Sequence, residues 1–210
     1  MKTHSVFKMK NITAFLALFG TLALSGCTGL FEPRSDPSRY YVIDTIQPEK
    51  PIPAAELRPA LALSVSRVQI PAYLDRTEIV LRPEANRLAV RDTELWLEPL
   101  GKACTRVFSQ DLAAQLGTER LAMEPSLDIY RDALQVQVSI LQLDGALGNE
   151  ITLRARWRVA TYADGQTLIV KDSEIKVPVS LANYASYVSG LSQALGKLAE
   201  EVAGEIRKLP

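Results

Sequence analysis

Histidine is nearly missing from this sequence. His4 is the single one in 210 residues. Ser–His–Asp and Cys–His catalysis both need an imidazole base, and histidine is also the commonest metal ligand. If the first residues are a leader that is removed, the remaining chain has none, and those chemistries are excluded. Cysteine is almost as scarce, with only Cys27 and Cys104. A modified Cys27 leaves Cys104 without a partner, so no intrachain disulfide forms. Cys104 sits in an apolar helical stripe with no histidine to activate it, which reads as a buried structural thiol. Long apolar runs are lacking too. The longest, Ile12–Leu24, covers 13 residues, against the ~20 that a spanning helix needs. Excess basic charge is absent: 24 Lys and Arg balance 24 Asp and Glu. A nucleic-acid partner would demand a basic face. No Gly-rich phosphate loop and no metal-ligand spacing occurs.

What the beginning does contain is specific. Lys2, Lys8 and Lys10 precede the apolar stretch, and the stretch ends in Leu24-Ser25-Gly26-Cys27. A basic start, a short apolar core and small residues before a cut describe a signal peptide. Leu, two small residues and then cysteine is the pattern of a bacterial lipoprotein signal. Cleavage between Gly26 and Cys27 makes residues 1–26 the signal peptide and Cys27 a new N-terminus, whose thiol is the nucleophile for acylation. The alternatives are an ordinary secretory signal with an incidental cysteine, or an uncleaved anchor. Thr28 follows the cysteine. In Gram-negative bacteria an Asp there tends to retain a lipoprotein in the inner membrane. Thr28 therefore favours the outer membrane, with the protein lipid-anchored and facing the periplasm. One acyl chain binds marginally and stable anchoring takes two signals, which several chains on Cys27 supply. Removing residues 1–26 leaves 184 residues, enough for one domain with a core. It also takes three lysines away, giving 21 basic against 24 acidic residues.

Residues 27–39 carry Pro33 and Pro37 and few large apolar side chains, and read as a lipidated tether. Residues 40–210 read as a single domain. Tyr40–Asp44 is a first strand. Residues 46–59 hold four prolines and read as an irregular connection. Ala60–Ile70 alternates as a strand bulged near Arg67 and ended by Pro71. Thr77–Arg82 and Arg87–Arg91 form a hairpin. Glu98-Pro99 opens a helix. Leu100, Cys104, Phe108, Leu112 and Leu116 recur every four residues along it, and Gly117 ends it. Tyr130–Leu143, Ile151–Thr161 and Thr167–Val179 are three strands of an antiparallel meander, with Asp164-Gly165 as a two-residue hairpin turn. Asn183–Lys208 is a closing helix with Val188, Leu191, Leu195, Leu198, Val202 and Ile206 as its apolar stripe. The expected fold is α+β: a mainly antiparallel sheet with two amphipathic helices packed on one face.

Few residues invite chemistry. Asp92 and Glu94 are close in sequence, as are Glu200 and Glu201, but they read as solvated charge in a turn and on a helix. Asp144-Gly145 reads as a turn former. Arg154, Arg156 and Arg158 alternate, so all three share the outward face of one strand. They form either a surface for phosphate headgroups or an acidic partner, or a solvated row paired with Asp172 and Glu174. The segment Tyr73, Leu74, Asp75 and Arg76 follows a proline-terminated strand. It is either a packed turn or a contact loop for a partner.

From Val68 to Leu100 the chain resembles the ABC-type transport auxiliary lipoprotein family. The residues that carry the likeness are Pro71, Tyr73, Leu74, Asp75 and Arg76, then Ile79 and Val80, then Trp96, Glu98, Pro99 and Leu100. Leu97 separates Trp96 from Glu98, where the family's run is tighter. Tyr40-Tyr41 after a short tether and the amphipathic closing helix also fit. The resemblance implies a non-enzymatic outer-membrane lipoprotein of an MCE-type lipid transport system, without cofactor or metal beyond the covalent lipid on Cys27. It further implies an MCE-domain protein and its inner-membrane permease as partners, and a ring-like homo-oligomer. A stand-alone envelope lipoprotein that itself binds a lipid or glycan is the competing reading.

Overall fold

Twelve-residue strands whose burial mostly alternates form the larger sheet of the molecule. In the computed structural model, which describes residues 36–46, 51–124 and 130–210, they are β6 (Leu134–Gly145), β7 (Glu150–Thr161) and β8 (Thr167–Pro178). They pair antiparallel in sequence order. Alternation sends Val136, Val138, Ile140, Leu153, Ala155, Trp157 and Val159 inward, where each is buried. The expected signal peptide, Cys27 and most of the expected tether lie outside the described residues.

Two short strands extend this sheet. β2 (Leu63–Val65) lies between β5 (Leu121–Met123) and β6, giving the order β5-β2-β6-β7-β8. A second sheet has the order β1-β4-β3, from β1 (Arg39–Tyr41), β3 (Glu78–Glu84) and β4 (Arg87–Trp96). β1 runs parallel to β4, and β2 runs parallel to both β5 and β6. The α+β class therefore holds, but the expected single, mainly antiparallel sheet is instead two mixed sheets. The physical reason is that alternation reports which face is buried, not which strand lies alongside or in what direction. β1, β2 and β5 reach their neighbours through long crossovers, and parallel pairing needs such connections.

The strand expected over Ala60–Ile70 pairs regularly only at Leu63–Val65. It resumes at Gln69, which bridges to Ser139. Between them Val68 N–H donates to Thr105 Oγ1 at 3.0 Å, so the interruption is tied to a helix. β7 and β8 are joined by residues 162–166, a longer turn than the two-residue one expected. The Asp164 carboxylate accepts from Gln166 N–H within it.

The helices are α1 (Leu100–Leu116) and α2 (Tyr184–Ile206). Gly117 closes α1 at φ 66°, in the left-handed region where a side chain is strained. Asn183 caps α2 by accepting from Ser186 N–H at 2.8 Å. Phe108, Leu112 and Leu116 of α1 and Leu191, Leu195 and Leu198 of α2 join the inward residues of β6 and β7 in one core. Asp144-Gly145, read as a turn, ends β6 instead, and Asp144 is wholly buried. A Cβ on Gly145 would collide with the Glu150 carbonyl, so only glycine allows the two strands this close an approach there.

Candidate functional site: a cleft at the end of β4

The antiparallel pairing of β3 and β4 sets Glu78 opposite Leu95. Residues just before β3 therefore lie beside residues just after β4. Trp96 N–H donates to the Thr77 carbonyl at 2.7 Å, and Leu97 N–H donates to the Tyr41 carbonyl at 3.0 Å. The result is an open cleft of about 280 Å³ lined by Asp75, Arg76, Thr77, Trp96, Leu97, Glu98 and Pro99. Two segments twenty residues apart in sequence meet in it. Leu97 is 67% exposed, the most exposed large apolar side chain described. Sequence reasoning treated Leu97 as an interruption. No local pattern marked it, because Leu97 follows the last residue of β4 and its exposure follows from the chain leaving the sheet there.

The charges around the cleft are held in place. Arg76 Nε donates to Glu78 Oε2 at 2.9 Å. That bond is the main cause that lowers the Glu78 carboxyl to about 2, so Glu78 stays ionised. Glu98 pairs with Arg106 at 2.6 Å, and Arg106 also donates to the Ile43 carbonyl. The arrangement offers an apolar side chain among fixed charges, which suits recognition of a protein surface. Among the described residues, no cluster of three metal-ligating side chains occurs.

The expected contact loop divides. Tyr73 and Leu74 lie in a 3-10 turn, Ala72–Leu74, and turn inward. Leu74 is buried. Tyr73 O–H donates to Asp144 Oδ2 at 2.7 Å, and burial pushes its hydroxyl up to about 12. Asp144 also accepts from Arg82 Nε at 2.8 Å, Arg82 Nη2 at 3.0 Å and Gln142 Nε2 at 2.9 Å. Tyr73 thus belongs to a buried network joining the two sheets, while Asp75 and Arg76 face the cleft. The arginine row lies on β7, in the other sheet. Arg156 makes a bidentate pair with Asp172 at 2.8 and 3.0 Å. Arg154 stands opposite Glu174, and Arg158 lies between Gln137 and Val170. The structure does not bring this row to the cleft.

Two buried groups depart from their surface-like sequence context. Glu94 was read as solvated charge in a turn. It is fully buried on β4, accepting from Tyr41 O–H at 2.7 Å and paired with Arg39. Asp92 is exposed. Asp111, on α1, is also buried and accepts from Ile46 N–H at 3.2 Å. Burial first, then the nearby Asp44 carboxylate, pushes its carboxyl up to about 6. An unfolded Asp titrates near 3.9. The folded protein therefore keeps a proton that the unfolded chain releases. Stability from this group is present below about 4 and is lost as pH rises through about 6. Asp111→Asn is expected to stabilise the protein at pH 7.5 by roughly 1–2 kcal/mol. The gain should vanish near pH 4, and urea unfolding at several pH values checks it. Cys104 is wholly buried and its thiol is pushed up to about 12 by desolvation, which makes it unreactive.

Residues 41–203 match the family described as the ABC-type transport auxiliary lipoprotein component. The chain belongs to this family. A comparison with curated proteins finds no match. Among solved structures, an uncharacterised protein is 19% identical at a TM-score of 0.65, covering 80% of this chain and 98% of its own. A Xanthomonas campestris protein of the DUF330 family is 16% identical at a TM-score of 0.62, covering 80% and 94%. These two likenesses concern the fold. Both family segments quoted from the sequence, Pro71–Arg76 and Trp96–Leu100, contribute to the cleft or its floor. No described helix of this transport auxiliary component is long and apolar enough to cross a membrane.

Proposed function

We propose that this transport auxiliary lipoprotein docks the periplasm-spanning MCE component of an intermembrane lipid transport system at the outer membrane. It acts without catalysis, held by the covalent lipid on Cys27. The supporting observation is the convergence of Asp75, Arg76 and the Trp96–Pro99 segment on one exposed cleft. An MCE-domain protein with an apolar side chain flanked by charge would fit Leu97, Arg76 and Glu98. The inner-membrane permease is reached through that protein. Homo-oligomerisation is part of the proposal. β8 ends the order of its sheet, and its twelve residues offer a long edge for a second copy.

The test is affinity capture of the tagged, lipidated protein from detergent-solubilised membranes, with co-purified proteins identified by mass spectrometry. An MCE-domain protein in strong excess supports docking. Bait alone, in a detergent shown to preserve the complex, supports a stand-alone lipid- or glycan-binding lipoprotein instead. Leu97→Asp places a charge on an apolar contact already exposed in the free protein. It is expected to weaken MCE binding by about tenfold or more, the cost of losing a central anchor. The thermal midpoint should not move.

A further inference from the structure

β4 runs from the β3–β4 hairpin tip to the cleft. Its last residue, Trp96, opens the cleft. Its first residue, Arg87, forms the tip of the β3–β4 hairpin with Glu84. β1 enters the sheet parallel to β4, with Arg39 beside Glu94 and Tyr41 beside Trp96. The chain leading from Cys27 therefore joins the fold from the side on which β4 begins. From Glu94 back to Arg87 is seven residues, at most ~23 Å of strand. The eleven residues between Cys27 and Arg39 reach at most ~40 Å when fully extended. A tether of that length lets the hairpin tip reach the bilayer surface, and the direction in which β1 enters turns that end of β4 toward it.

The tip has the composition for such contact. Leu88 is 40% exposed and Val90 39% exposed, and the two residues share a face of the strand. Arg87 and Arg91 alternate to the opposite face of the strand; the Arg87 side chain is 63% exposed and pairs with Glu84 at 2.6 Å, and Arg91 is exposed as well. The Arg39 side chain, where the tether joins β1, is 66% exposed. A hairpin tip with aliphatic side chains on one face and arginines on the other suits the boundary between acyl chains and headgroups: the apolar face enters and the guanidinium ends stay with phosphate.

We propose that the β3–β4 hairpin tip, through Leu88, Val90 and Arg87, rests in the headgroup layer of the membrane that holds the Cys27 lipid. β4 then stands as a post between that leaflet at one end and the docking cleft at the other. This orientation rests on the anchoring reading above. It adds a second contact to the leaflet beside the covalent lipid, and it points Leu97 and Arg76 away from the membrane.

The test uses the full lipidated protein in vesicles of phosphatidylethanolamine and phosphatidylglycerol. Leu88→Cys and Val90→Cys are labelled with an environment-sensitive fluorophore, with Leu97→Cys and Val170→Cys as controls of equal or greater exposure. Cys104 is buried and unreactive, so it needs no replacement. Nitroxide-bearing lipids should remove most of the emission at positions 88 and 90 and leave that at 97 and 170 nearly intact. Equal quenching at all four positions, or none at 88 and 90, on protein shown by mass spectrometry to be acylated at Cys27, overturns the orientation alone. Protein without acyl chains on Cys27 overturns the anchoring reading, and the orientation with it.

Discussion

Replacing Asp144 by Ala is expected to lower the unfolding free energy by about 3 kcal/mol, because breaking a buried charge pair from one side costs more than the pair contributes. The Asp144 side chain is wholly buried and accepts from Tyr73, Gln142 and both forked nitrogens of Arg82. Removing the carboxylate strands all three donors. The Arg82 side chain keeps 24% exposure, so it can turn partly to water, which holds the loss below the upper end of that class. Tyr73→Phe removes one donor and leaves Asp144 with three bonds, so a cost of about 1 kcal/mol follows. Urea unfolding reads both effects, as a lower midpoint with an unchanged slope. The pair also separates structure from recognition at the family motif. Tyr73→Phe should leave the proposed MCE binding intact, whereas Leu97→Asp should weaken it by about tenfold or more at unchanged stability. Loss of the proposed MCE binding in folded Tyr73→Phe would return Tyr73 to the contact surface.

The network also explains why part of the site was legible and part was not. Strict alternation in β6 and β7 and the four-residue apolar recurrence in α1 are local signals. Those elements are found where the pattern places them, with ends displaced by a few residues. β1 and β2 were expected as strands over Tyr40–Asp44 and Ala60–Ile70, but each pairs over only three residues, too few for the pattern to fix their extent or partners. Their places depend on neighbours far away in sequence, such as Leu63 beside both Leu121 and Leu134. β5 left no pattern of its own. The same limit governs polar residues. Glu94 and Asp144 have the local context of surface charge. Each is buried because a distant donor meets it: Tyr41 and Arg39 for one, Arg82 and Tyr73 for the other. Burial of a carboxylate is a property of the assembled partners, and single-strand patterning carries no record of them. The cleft lies between these cases. Its segments were recognisable as motifs, but their meeting follows from the register of β3 on β4. The Arg154–Arg158 row shows the converse. Alternation placed it correctly on one face, and the cross-strand carboxylate of Asp172 then occupies its middle member.

The largest loss of stability is expected from Trp157→Ala, about 4 kcal/mol, as befits an aromatic deleted from a filled core. Trp157 is 1% exposed at the middle of the central strand of the meander. Val138 faces it from β6. Its Nε1–H donates to Ser173 Oγ at 2.8 Å, and Ser173 O–H donates to Glu201 Oε1 at 2.9 Å. The chain from β7 through β8 to α2 thus has one polar stitch inside an apolar contact. Alanine removes the ring, leaves a cavity between sheet and helix, and leaves Ser173 one partner short. Trp157→Phe separates the contributions. It keeps a six-membered ring but loses the indole donor and the volume of the fused five-membered ring, so it should fall between the other two proteins. Urea midpoints read the order. Trp157→Ala should also remove the more blue-shifted of the two tryptophan emissions, since Trp96 is the less deeply buried. If Trp157→Ala and Trp157→Phe cost the same, the stitch through Ser173 to Glu201 holds α2 on the sheet more strongly than the ring does. If Trp157→Phe matches the wild type, packing of the ring alone accounts for the site.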